Sequence, residues 1–153
     1  MPTYNLTVTS ELENLERIAQ FIERVAEETG MDDESAYALQ LSVDEACTNV
    51  MDYAYQGRRG QPVYIECQAD DGQCTVVIRD CGRPFDPAGV PEPDLTSPLF
   101  RRQVGGLGIF LMRKLMDDVR FRFDAGRGNE VTMVKHWQPR RPPQSPSAEL
   151  ASA

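Results

Sequence analysis

PVYIECQADDGQCTVVIRD, residues 62–80, reads as two β-like runs, PVYIECQA and QCTVVIRD, with Asp-Asp-Gly between them. Two such runs around a short glycine-bearing turn are a hairpin signal. A second hairpin is predicted downstream, from VRFRFDA (119–125) and EVTMVKHW (130–137), joined by Gly126-Arg127-Gly128-Asn129. Paired hairpins with few helices point to one mostly antiparallel sheet with helices on one face. The fold class is therefore α+β, a two-layer α/β sandwich.

Upstream of the first hairpin, YNLTVT (4–9) alternates, with Tyr4, Leu6 and Val8 on one side, and reads as a strand. Ser10 opens S-E-L-E, a capping-box pattern with Glu13 three residues on. Leu12, Leu15, Ile18, Ala19, Ile22, Val25 and Ala26 follow at helical spacing, and Gly30 ends that helix. Asp32 or Asp33 caps a second helix running to about Tyr55, with Gly57 and Gly60 as terminators. Downstream, residues 81–104 carry five prolines and no period, the mark of a functional lid or a disordered segment. Three glycines then crowd the entrance of a helix expected to reach about Asp118. After Trp137 the chain turns to QPRRPPQSPSAELASA, in which nothing can pack. The expected organisation is a folded domain over 1–137 and a disordered tail over 138–153.

Composition narrows the function. A chain of 153 residues fits one domain with a substantial core. The net charge is −8, and residues 1–60 hold twelve Asp/Glu against four Lys/Arg. An acidic first half argues against nucleic acid as the direct partner, because a phosphate backbone requires a positive face. No apolar run approaches the roughly 20 residues of a membrane span. No basic start leads into an apolar stretch, so a cytoplasmic location is expected. The four cysteines form no C-x-x-C pair and His136 is the only histidine, which argues against structural zinc.

Five places carry candidate chemistry. In LQLSVDEACTNVMDYAY (39–55), Glu45 and Asn49 stand at i and i+4 on one helix face. Taken alone this is an ordinary amphipathic helix, but the Asn side-chain oxygen is a suitable hard ligand for Mg²⁺. A Glu one turn earlier can accept a proton or orient a water. Asp80 ends a strand, where a carboxylate can accept from an exocyclic amine, and Gly82 lets backbone approach a flat ring. Asp and Gly are also usual turn residues. Gly105, Gly106, Leu107 and Gly108 lead a helix, whose free N–H groups and dipole suit phosphate oxygens. No Walker, dinucleotide or protein-kinase fingerprint occurs. Thr132 is expected to complete an adenine pocket beside Asp80, or to be simply a good strand residue. Arg101 and Arg102 either meet a phosphate tail or are solvated surface charge.

E-x-x-x-N on a helix, D-x-G after a strand, a glycine cluster before a helix and G-x-x-x-T on a late strand occur in this order. Together they resemble the GHKL ATPase superfamily. LSVDEACTNVMDYAY, DCGRPFDP and GGLGIFLMRKLMDDV look like its small bacterial branch, the anti-sigma-factor serine/threonine kinases. The likeness spans about residues 5–137. It implies a Bergerat-type sandwich that binds ATP and Mg²⁺, with Asn49 on the metal and Glu45 as catalytic carboxylate. It implies Asp80 on the adenine amine and Gly82 against the ring, with Gly106 and Gly108 on the phosphates and Thr132 supporting the base pocket. The implied partners are a sigma factor and an anti-sigma-factor antagonist phosphorylated on serine, and the implied assembly is a homodimer. The alternative within the same resemblance is an ATP-binding anti-sigma or partner-switching module with little or no kinase activity. One departure stands out: Asn129 follows Gly128 where Thr is frequent. With Thr132 present, it is expected to matter little.

Overall fold

Alternating burial along the strands divides this protein into a covered sheet face and an open one. The computed structural model describes residues 2–70, 72–84, 106–124 and 126–138. The chain runs β1 (Thr3–Thr9), a 3₁₀ turn (Leu12–Asn14), α1 (Leu15–Glu28) and α2 (Asp33–Asn49), which continues as a π-helical turn (Val50–Ala54). Then come β2 (Pro62–Asp70), β3 (Gln73–Asp80), α3 (Gly106–Leu115), β4 (Asp118–Asp124) and β5 (Gly128–His136). Both expected hairpins are present, and the five strands lie in the order β1-β2-β3-β5-β4. Every neighbouring pair is antiparallel.

Inward positions recur every second residue, as strand geometry requires. Val63, Ile65, Cys67 and Ala69 of β2, Cys74, Val76 and Ile78 of β3, and Val131 and Met133 of β5 are buried. They pack with Ile18, Ile22 and Val25 of α1, Leu39 and Val43 of α2, and Ile109 and Met112 of α3 in one core. The other face is polar. There Glu130 accepts from Arg79 at 2.8 Å and from Arg122 at 3.2 Å. These exposed pairs contribute little to stability.

At the helix ends one expectation is narrowed and one changes. Asp32, not Asp33, caps α2, accepting from the Ser35 N–H at 3.2 Å. Hydrogen bonding from Ser35, its side chain first and its N–H second, holds the Asp32 carboxyl below the usual carboxylate range. Ser10 does not cap α1, because the helix begins only after the 3₁₀ turn. The Ser10 hydroxyl is buried. It donates to the Arg58 carbonyl at 2.5 Å and accepts from the Gln61 N–H at 3.1 Å. The local pattern suits a cap, but a buried hydroxyl takes the partners that folding brings to it.

The sequence segments expected as lid and tail fall outside the described residues, apart from residues 81–84 and Gln138. Among the described residues no helix is long and apolar enough to cross a membrane.

Candidate nucleotide site

Asp80 is the last residue of β3 and shares the inward parity of Val76 and Ile78, so its carboxylate is only 5% exposed. Register places Asn129 of β5 directly opposite. The Asn129 Nδ2 donates to Asp80 Oδ1 at 2.9 Å and to the carbonyls of Gly82 and Arg83, each at 3.1 Å. The Gly82 N–H donates to the same Oδ1 at 2.8 Å. Burial pushes the Asp80 carboxyl above its ordinary range, and these two hydrogen bonds on Oδ1 only partly oppose the shift. Gly128 supports the register: its φ is +89°, and a Cβ there would meet the Asp80 carbonyl oxygen at 2.5 Å. Only glycine suits such a position.

On the helical layer Glu45 and Asn49 lie one turn apart on α2, as their spacing requires. The glycine at the entrance of α3 now has a physical reason. A Cβ on Gly108 would lie 2.8 Å from Glu45 Oε2 and 3.5 Å from Asn49 Nδ2. Bare backbone of the first α3 turn therefore packs onto the Glu45–Asn49 pair. Burial, and secondarily the charge of Asp44, pushes the Glu45 carboxyl up. Immediately after Asn49 the helix widens to π pitch, with the Tyr55 N–H reaching the Val50 carbonyl at 2.9 Å. Single π turns inside α-helices are frequent at functional sites.

These elements enclose one hollow. Asn49, Asp80 and Asn129 supply its polar groups, and Val50, Met112, Phe121, Phe123 and Val131 are among its apolar ones. Its water-accessible volume is about 40 Å³ within about 430 Å³ of empty space that includes open solvent. A mostly apolar wall with few convergent polar groups is the usual make-up of a small-molecule site. Glu45, one turn before Asn49, does not line the hollow and packs against Gly108.

Several expected residues fall elsewhere. Thr132 pairs with Val77, three residues along the strand from Asn129, and so lies on the opposite sheet face from Asp80. It cannot complete a pocket there. Asn129, the departure expected to matter little, occupies that place. The Cβ direction of Gly82 is filled by Ala54, whose carbonyl oxygen would be 2.5 Å from an added Cβ. Its glycine character is needed for packing against the π turn, where the Arg83 N–H also donates to the Ala54 carbonyl at 2.9 Å. Gly106 is the first residue of α3. Arg101, Arg102 and Gly105 lie outside the described residues, as does the side chain of Leu107.

Phe121 and Phe123 match no motif in the sequence, and Asn129 was expected to matter little. The signal existed: strand parity puts Phe121, Phe123 and Asn129 on the side away from Thr132, once β4 and β5 are paired.

No group of three or more His, Cys, Asp or Glu side chains is placed to hold a metal among the described residues. Three thiols, Cys47, Cys67 and Cys74, are buried and unbridged, and Cys81 is exposed. Burial pushes the Cys47 thiol up, as expected of inert core filler.

Residues 8–135 match the histidine kinase-like ATPase domain. The chain belongs to that family. Its relatives include the serine-protein kinase RsbW of Halalkalibacterium halodurans, 28% identical over 128 residues, covering 81% of this chain and 78% of that one. RsbW of Listeria innocua is 29% identical over 140 residues, covering 88% and 85%. Among solved structures, the RsbU and RsbW domains of Rv1364c from Mycobacterium tuberculosis align with a TM-score of 0.63 at 15% identity. That match covers 93% of this chain and 34% of the other. The mycobacterial sensor histidine kinase MprB aligns at 0.52 and 16% identity, covering 90% of this chain and all of its own. At these identities the structures support the shared fold, and the α+β sandwich expected from the hairpins is the family's.

Proposed function

We propose that this protein is an ATP-dependent serine kinase acting on a partner protein, and that it also binds a sigma factor. The observation that carries this reading is the meeting of Asn49, Asp80 and Asn129 in one hollow, with Glu45 one turn before Asn49 and packed against Gly108 in the first turn of α3. The relatives named serine-protein kinase support the activity.

Asp80 would accept a hydrogen bond from the adenine amine. The N–H groups at Gly106 and Gly108 would meet phosphate oxygens, where a helix dipole favours anions. Arg101 and Arg102 would approach the same phosphates. Asn49 would hold a Mg²⁺ ion through its carboxamide oxygen, a hard donor, and the described residues place no group of three or more His, Cys, Asp or Glu side chains to hold a metal. When bound, the ion neutralises charge on the phosphates. Glu45 would take the proton from the partner's serine hydroxyl as that oxygen bonds to the γ-phosphorus and the bond to the ADP oxygen breaks. Burial supports this role, since raising a carboxyl toward neutral pH makes it a better general base.

The phosphoacceptor would be an anti-sigma-factor antagonist, with the kinase acting as a homodimer. Labelled Mg-ATP incubated with the protein and a candidate antagonist should place label on one serine. ATP binding without any label on the antagonist would reject the kinase and leave a partner-switching module.

A further inference from the structure

We infer that Asn129 is a second acceptor in the base-binding hollow, reading an amino group jointly with Asp80 and selecting an amino-bearing ring edge over an oxo-bearing one. This rests on the nucleotide reading of the hollow and adds to it a residue that the resemblance treated as incidental.

The orientation of the Asn129 amide is decided by its surroundings. Three oxygens, of Asp80, Gly82 and Arg83, lie within 3.1 Å of Nδ2. A flipped amide would set its own oxygen against all three acceptors, so nitrogen must face them. Both amide hydrogens are thereby committed. The opposite atom, Oδ1, is buried and has no hydrogen-bond partner among the described residues. The side chain is 7% exposed and lines the same hollow as Asp80. Buried acceptors left without a donor are rare and costly in folded proteins.

On Asp80, both hydrogen bonds from the described residues fall on Oδ1. Two acceptors at the polar end of the hollow, the second carboxylate oxygen and the buried Asn129 carbonyl oxygen, thus carry no hydrogen bond from the described residues, and Asn129 has no uncommitted donor beside them. A 6-amino purine carries two N–H donors on one nitrogen, one for each acceptor. A 6-oxo purine puts an acceptor where the amine stood, so its C6 edge pairs with neither oxygen, and its nearest donor, N1–H, lies one ring position away. Sites built this way reject ligands that lack the matching group far more strongly than apolar pockets reject a changed methyl. A threonine here could still donate to Asp80, but its hydroxyl is one atom shorter and reaches less far into the hollow.

The test uses the full chain and three Mg-bound triphosphates: ATP, GTP, and purine riboside triphosphate, which is ATP without its amine. Calorimetry on the wild type should favour ATP over the amine-free analogue by about 100-fold, about tenfold per hydrogen bond. Asn129→Thr should reduce that preference to about tenfold and relax the rejection of GTP. In the wild type, with ¹³C in asparagine side-chain carbonyls, the Asn129 resonance should move on binding ATP and stay put on binding the amine-free analogue. A preference unchanged in Asn129→Thr, or a resonance that moves equally with both ligands, overturns the inference and leaves the nucleotide site standing. If no triphosphate binds the wild type, the nucleotide reading falls and takes this inference with it.

Discussion

Two sets of buried polar groups flank the C-terminal end of α2, and they are finished to different degrees. On one side are hydroxyls that use both capacities. Ser10 donates to the Arg58 carbonyl and accepts from the Gln61 N–H. Tyr55 donates to the Pro62 carbonyl at 2.6 Å and accepts from the Cys81 N–H at 2.7 Å. On the other side, burial holds the Asp80 and Glu45 carboxyls above their ordinary range, and the Asn129 Oδ1 has no partner among the described residues. A polar group that the fold completes serves the fold. One left incomplete inside a hollow is a cost that a ligand with the matching donor can offset.

Substitutions can break or sharpen that contrast. The largest effect is expected for Glu45→Gln: phosphate transfer should fall by about 10²- to 10⁴-fold, as for loss of a general base. ATP affinity by calorimetry should stay near that of the wild type. An unchanged transfer rate would remove Glu45 from the chemistry.

Next comes Asp80→Asn, which should weaken ATP binding by about 10- to 100-fold, the range for a hydrogen bond to a charged group. It should nevertheless fold no less stably than the wild type at neutral pH. The linkage sign follows from the raised carboxyl. A group whose folded pKa lies above its unfolded one favours folding when protonated, so stability is present at low pH and is lost as pH rises through the folded pKa. Wild type therefore carries this penalty at neutral pH, and the variant's relative advantage should vanish as pH falls into the ordinary carboxylate range. Urea titrations across pH check it. A large stability loss at neutral pH would place Asp80 with the structural groups and collapse the distinction.

Tyr55→Phe should do the reverse. Its hydroxyl pKa is pushed up to about 12, with burial the leading cause. Removing it leaves the Pro62 carbonyl and Cys81 N–H unpaired, for a loss of about 2 kcal/mol in urea unfolding. ATP affinity per folded molecule should not change. Ser10→Ala should behave alike at about 1 kcal/mol. If either variant weakened ATP binding as much as Asp80→Asn, the two regions would not be separable.

Much of this site was legible in residue spacing. Glu45 and Asn49 share a face because four residues make about one helical turn, and Asp80 ends its strand where the run of β-like residues stops. The glycine cluster was read through its N–H groups. The structure adds that Gly108 must also lack a side chain to sit on Glu45. Ser10 and Thr132 were misplaced for related reasons. Each matches a local motif, yet which face of β5 meets β3, and which backbone groups reach Ser10, depend on segments some 50 positions away.

Local sequence by itself determined the helices, the two hairpins and the helical pair of polar residues, since those follow from short-range sterics and periodicity. The tertiary structure alone decided that β3 joins β5 and that Asp80 therefore faces Asn129. It also decided that the Asn129 Oδ1 is buried without a partner among the described residues. Strand register is set by packing of the whole sheet against its helices, and shifting it by one residue would turn every one of these side chains to the other face.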